Sequence, residues 1–164
     1  MANKEILAGG ERRRYARRVP PALESILSLF AGRGESERRE LLLHYAAGVA
    51  RHAARPGEVY AVSDLRHDAE CSDAVGIHLR MENGCCHFRV TLGPEVQTLT
   101  QALASILCEG LDGAPPAAVL ALTESVVDSI AGVTMVRLRS RTVYYILRRM
   151  QEAVRRAAPS PAVA

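Results

Sequence analysis

The chain has 164 residues, 48% hydrophobic and 24% charged, a size and balance that fit one folded domain with a core of its own. Trp is absent and the aromatics are five Tyr and two Phe, which leaves no base-stacking platform for single-stranded nucleic acid. No apolar run approaches the roughly 18 residues of a membrane span, and the formal net charge is only +3.

That charge is unevenly spread. Residues 1–19 carry six Lys/Arg against two Glu, and residues 137–156 carry seven Arg against one Glu. The stretch between them is acidic. The first 19 residues, with Gly9-Gly10 followed by Glu11-Arg12-Arg13-Arg14, read as a disordered basic arm. Residues 158–164 read as a frayed tail, and 20–157 as the folded domain. The opening residues lack the apolar core of a secretory leader, so a cytoplasmic location is expected and the four Cys are read as thiols.

The domain begins helically. Pro20-Pro21 suits a helix entrance, and Leu23, Ile26, Leu27 and Phe30 follow at helical spacing. Gly32 and Gly34 break that helix. Ser36 is the expected cap of the next, with Leu41, Leu42, Tyr45 and Val49 inward and Pro56-Gly57 beyond its end. The two helices are expected to form an antiparallel hairpin.

The middle of the chain switches to a period of two. Val59–Val62 is the expected first strand. Val75, Ile77, Leu79 and Met81 then alternate with Gly76, His78 and Arg80. After Asn83-Gly84, Cys86, Phe88, Val90 and Leu92 alternate with polar residues. A two-residue turn at Asn83-Gly84 pairs Glu82 with Cys85, Met81 with Cys86, Leu79 with Phe88 and Ile77 with Val90, which puts every apolar side chain on one face.

The remainder is helical. Val96, Leu99, Leu103, Ile106 and Leu107 make a stripe that closes near Gly110. Pro115-Pro116 starts a short helix through Leu122, and Thr123 caps another to about Ala131. Ser140 caps the last, with Val143, Ile146, Leu147, Met150 and Val154 inward. The order predicts an α+β domain, a three-stranded antiparallel sheet with helices on one face.

No phosphate loop, dinucleotide fingerprint or His-Glu-x-x-His zinc motif is present. The cysteines carry the chemistry. Cys108 follows Leu107 on a helix and reads as a small buried hydrophobe. Cys86 belongs to the apolar face of its strand, and Cys85 is expected to be exposed at the turn. Cys71 differs, because it follows the polar run Ser63–Glu70 just before a strand, on a loop where a reactive group stays accessible. A thiolate is the attacking form, disfavoured by Asp68, Glu70 and Asp73 and favoured by His67 or an Arg from elsewhere.

At this point the chain resembles the SufE family of sulfur acceptors in iron–sulfur cluster assembly, over about residues 21–157. Pro21-Ala22-Leu23-Glu24-Ser25-Ile26 and Arg38-Arg39-Glu40-Leu41-Leu42-Leu43-His44-Tyr45-Ala46 resemble its first two helices. Glu70-Cys71-Ser72-Asp73-Ala74-Val75 resembles its active loop, Leu111-Asp112-Gly113-Ala114-Pro115 with Val119-Leu120-Ala121-Leu122 a later turn and helix, and Ser140-Arg141 the start of its last helix. Glu70 stands where the family usually has Gly, Ser72-Asp73 where it has Gln-Ser, and Gly76 where a large residue is common.

The resemblance implies a SufE/NifU-like fold and a persulfide carrier. Its partner is a pyridoxal-phosphate-dependent cysteine desulfurase of the SufS type, whose turnover it stimulates. Sulfur passes to a downstream iron–sulfur scaffold complex. Cys71 is the implied sulfur acceptor and Arg141 the implied supporting cation, with Ser72, Asp73 and His67 shaping or assisting the loop. No cofactor or metal of its own is implied, and neither a membrane nor nucleic acid is an expected partner. The competing readings are a scaffold holding iron–sulfur or zinc through Cys71, Cys85, Cys86, Cys108, His67 and His87, and an interaction module without sulfur chemistry.

Overall fold

The computed structural model describes residues 19–67, 74–132 and 142–158. The first helix, α1, spans Pro21–Phe30 and begins with a Pro whose missing N–H costs nothing in the first turn. It buries Leu23, Ile26 and Phe30. Helix α2 spans Glu35–Ala47 and buries Leu42, Tyr45 and Ala46, with Leu41 and Val49 partly covered. Its cap is Gly34 rather than Ser36: the Gly34 N–H donates to Glu37 Oε2 at 3.2 Å, so a carboxylate inside the first turn supplies the acceptor. A 3₁₀ turn, Val49–His52, follows. The Phe30 and Tyr45 rings stack 6.2 Å apart, and both helices also pack on α3, Thr98–Gly110.

The sheet has three antiparallel strands in sequential order: β1 (Val62–His67), β2 (Ala74–Glu82) and β3 (Cys85–Leu92). The β2–β3 register is the one the turn chemistry dictates, with Glu82 opposite Cys85, Met81 opposite Cys86, Leu79 opposite Phe88 and Ile77 opposite Val90. Asn83 and Gly84 both have positive φ, 50° and 77°, the requirement of a type I′ turn. The first strand is displaced from its expected place: it starts at Val62, where the expected strand ends, and runs through the polar segment to His67. Its partners are Val62 with Leu79, Asp64 with Ile77, and Arg66 with Val75.

Val75, Ile77, Leu79, Cys86, Phe88 and Val90 are buried on one face of the sheet. Helices α3 and α6 (Thr142–Ala157) cover that face. Each large side chain so buried is worth about 1.5–3 kcal/mol. The opposite face carries Ser63, Leu65, His78, Arg80, Arg89 and Thr91. The chain is therefore an α+β domain with a three-stranded antiparallel sheet and helices packed on one face.

Two short helices complete the core, α4 (Pro116–Leu120) and α5 (Ser125–Ala131). The buried Gln151 of α6 donates from Nε2 to the carbonyls of Val119 (3.1 Å) and Leu122 (2.9 Å), and the Tyr144 hydroxyl donates to Asp128 at 2.6 Å. Arg148 pairs with Glu124. These contacts seat α6 against α4 and α5. The outer side of β3 is covered by backbone. Cys86 N–H donates to Ala114 O (2.8 Å), Gly113 N–H to Cys86 O (2.9 Å) and Ala54 N–H to Val90 O (3.0 Å).

Candidate functional site

Strands β1 and β2 end with His67 opposite Ala74, so residues 68–73, including Cys71, connect two antiparallel neighbours. Cys71, Ser72, Asp73 and Arg141 lie outside the described residues; His67 closes β1, and its side chain is not described. What the fold does place is the base of that connection.

The base is polar and tied from the helical side. Arg149 of α6 is only 8% exposed. Its Nη2 donates to two main-chain carbonyls on neighbouring strands, Asp64 O at 2.8 Å and Val75 O at 2.7 Å. Its Nε is buried without a hydrogen-bond partner, 3.7 Å from Asp64 Oδ2. Burial pulls the Arg149 guanidinium below its ordinary pKa, opposed by the Asp64 charge, and an arginine stays protonated there. Arg66 spans outward from the same place, 2.8 Å from Asp64 Oδ2 and 2.8 Å from Glu152 Oε2 on α6. The hydrogen bond to Asp64, followed by that to Glu152, raises the pKa of Arg66. On the other side, Gly93 N–H donates to Ala74 O at 2.8 Å, and a Cβ on Gly93 would come within 3.1 Å of the Ala74 Cβ. Both ends of the Cys71 segment thus leave from fixed points.

The other thiols are arranged differently. Cys86 and Cys108 are 0% and 1% exposed. Burial pushes Cys86 up to about 11, helped by neighbouring Cys85, and Cys108 up to about 12. Both are protonated and poor nucleophiles at neutral pH. Cys85 at the β2–β3 turn faces away from Cys86 but is half-buried, less exposed than its place at the turn predicts.

Cys71 and the Cys85–Cys86 pair lie at opposite ends of β2. Ala74 and Glu82 are eight residue steps apart, about 26 Å of extended chain. The length of β2 thus separates the base of the 68–73 connection from the Cys85–Cys86 turn. His87 is engaged locally, Nδ1 to Asp112 Oδ1 at 2.8 Å. Among the described residues no group of three or more His, Cys, Asp or Glu could hold a metal ion.

Sequence reasoning singled out Cys71, which lies outside the described residues, and missed Arg149. An Arg among apolar Ile146, Leu147 and Met150 on the inward side of α6 is the signal that could have exposed it. Among the described residues no helix is long and apolar enough to cross a membrane.

No protein-family model and no curated protein matches the chain. Solved structures do. The N-terminal part of a nitrogen-fixing NifU-like protein from Brucella abortus is similar at 17% identity, covering 72% of this chain and 81% of that one. Its TM-score is 0.45, a superposition too loose to bear on fold or function. A hypothetical protein from Thermus thermophilus, known from its solution structure, is similar at 30% identity with a TM-score of 0.70, over 87% of this chain and 100% of the other. With that identity across the whole length of the Thermus protein, the chain belongs to the same family as it.

Proposed function

We propose that this protein is a SufE-like persulfide carrier that receives sulfur on Cys71 from a pyridoxal-phosphate-dependent cysteine desulfurase and passes it toward iron–sulfur cluster assembly. The observation that supports this reading is the placement of the three described thiols: two are buried and protonated and Cys85 sits at the β2–β3 turn, while Cys71 falls by sequence in the polar 68–73 connection whose two ends are anchored on the sheet. The resemblance of residues 70–75 to the SufE active loop supplies the chemistry, and the α+β architecture agrees with it.

The step is a sulfur transfer. The Cys71 thiolate attacks the outer sulfur of the desulfurase persulfide. A new S–S bond forms on Cys71, the old one breaks, and the electron pair leaves on the desulfurase cysteine. No external oxidant or reductant is consumed. His67, Ser72 and Asp73 flank Cys71 in sequence, Arg141 matches the Arg of the SufE Ser-Arg pair, and all four are assigned supporting roles. The cargo is sulfur, and the downstream recipient is an iron–sulfur scaffold.

The test is intact mass spectrometry after incubation with a cysteine desulfurase and free cysteine. Gain of one sulfur atom, mapped to Cys71 and reversed by reductant, supports the reading. Cys71→Ser should fold normally, gain no sulfur and no longer stimulate the desulfurase. Stimulation that survives in Cys71→Ser overturns it.

A further inference from the structure

We infer that Arg149 is a positioning residue that fixes the register of β1 on β2 and thereby sets the length and departure points of the segment carrying Cys71. The consequence for sulfur transfer rests on the reading of Cys71 proposed above; the register claim does not.

The reason lies in what β1 lacks. A strand with one buried face is held in register by its apolar alternation, because a one-residue slip turns every side chain over. In β1 that signal is almost absent. Its residues are Val62, Ser63, Asp64, Leu65, Arg66 and His67. Val62 faces the core at 6% exposure, while Leu65 faces out at 70%. A slip by one residue would bury Leu65, expose Val62 and Asp64, and turn the already exposed Arg66 to the other face. By apolar burial alone the slipped strand is no worse than the observed one.

Two features oppose the slip. Leu65 sits over Gly76, where a Cβ would come within 3.0 Å of its Cδ1. Far more specific is Arg149, whose Nε lies 3.7 Å from the Asp64 carboxylate on the covered face while its Nη2 reaches a carbonyl on each strand, Asp64 O and Val75 O, close to the end where the connection begins. Arg66 adds a tie from β1 to Glu152, three residues along the same helix. A slip by one residue brings the carbonyl of Ser63 or Leu65 to the place of Asp64 O, but it turns the Asp64 carboxylate to the other face of the sheet and leaves the buried Arg149 cation without its counter-charge, which is the costly state for such a group. A buried polar contact of this kind selects one register among several of similar apolar content.

The register determines chemistry because it fixes the connection at the six residues 68–73. One slip adds or removes a residue from it and turns the His67 end to the other face of the sheet. Displacement of a reacting atom by even an ångström is enough to cost a large factor in rate.

The experiment is Arg149→Met in the full chain, with Arg149→Lys beside it. Far-UV circular dichroism and cooperative unfolding establish folding. Nuclear Overhauser contacts between Arg66 and Val75, and between His67 and Ala74, report register. Sulfur loading of Cys71 by a desulfurase reports function. The expected result for Arg149→Met is a folded protein whose β1–β2 contacts are lost or split between registers, with loading at least about tenfold slower. Arg149→Lys restores both in part. Native contacts and wild-type loading in Arg149→Met overturn the inference. Should the Met variant not fold, Arg149→Lys decides: split β1 contacts support the register role, and a single native register overturns it. Wild-type protein that takes up no sulfur sinks the carrier reading and leaves the register claim to stand on the Overhauser contacts.

Discussion

The Leu23 side chain of α1 lies directly on Gly110, the last residue of α3. A Cβ added at Gly110 would stand 2.8 Å from Leu23 Cδ1, 2.9 Å from its Cβ and 3.0 Å from its Cα. The nearest atoms include main chain, so the contact cannot be relieved by a side-chain rotation alone. Gly110→Ala is expected to push α1 off the core and destabilise the domain by about 2–3 kcal/mol, the cost of overpacking a filled site. A urea titration followed by circular dichroism reads it as a lower midpoint. An unchanged midpoint contradicts the packing.

Arg38 closes two helix ends at once. Its Nη1 donates to Ser129 O (2.5 Å) and Ile130 O (2.8 Å) at the end of α5, and its Nη2 to Phe30 O (3.2 Å) at the end of α1. A cation is well placed against the orphan carbonyls and negative poles of two helices. Arg38→Ala should cost about 2 kcal/mol. Arg33→Ala, which removes an exposed pair with Glu37, should cost no more than about 0.5 kcal/mol. The two variants measured side by side in urea separate the roles.

Burial predicts the order of thiol labelling. Cys86, at about 11, and Cys108, at about 12, should resist iodoacetamide in the native protein at pH 8 and react fully in denaturant. Cys71 should label first if it is the carrier thiol. Peptide mapping of a timed reaction checks this. Rapid native labelling of Cys108 would contradict its place in α3.

Stability should fall between pH 7 and pH 5. His52 and His78 both have pKa values below the ordinary histidine value, chiefly because burial disfavours the charged ring. For His52, Glu109 and Asp112 oppose the shift while Arg51 and Arg89 add to it. The unfolded chain thus binds protons first as pH drops through 6.5, so the stabilisation is complete above that pH and is lost below it. Glu37, held low mainly by the Gly34 N–H, and Glu58, held low mainly by the Tyr60 hydroxyl, add their losses only in the range below 4.5. The double variant His52→Gln, His78→Gln should flatten the urea midpoint between pH 7 and pH 5. An equal slope in variant and wild type would reject the assignment.

The β2–β3 hairpin was legible because local turn chemistry and side-chain alternation demand the same register. The stripes of α1 and α3 were legible for the same reason, and Leu23, Phe30, Leu103 and Leu107 are all buried. β1 was not. Ser63, Asp64, Arg66 and His67 read as loop, because their own sequence has no apolar alternation and they become a strand only by pairing with β2, tied at Asp64 to an arginine 85 positions away. The α2 cap fell on Gly34 instead of Ser36 because a Glu side chain within the first turn can satisfy a backbone N–H as well as a cap hydroxyl can. The cap residue of the short α5 is Glu124 instead of Thr123, because the Thr123 hydroxyl pairs with Ser125 Oγ at 2.6 Å and not with a backbone N–H. Of the site, Cys71 was singled out by its polar surroundings and by the resemblance to the SufE loop, whereas the groups that hold the base of its segment come from three elements brought together only by folding.

The backbone bonds along the outer side of β3 give the sheet an asymmetry that matters in concentrated solution. Ala54, Gly113 and Ala114 occupy donors and acceptors on that edge. Among the described residues no strand does the same for β1. A strand edge with free amides is a template for another chain, and proteins guard such edges with charge. Here the guard consists of Asp64, Arg66 and Glu152, the same cluster that ties β1 to α6. Neutralising those charges for any purpose would therefore loosen the β1–β2 hairpin and open the sheet to self-association in a single step.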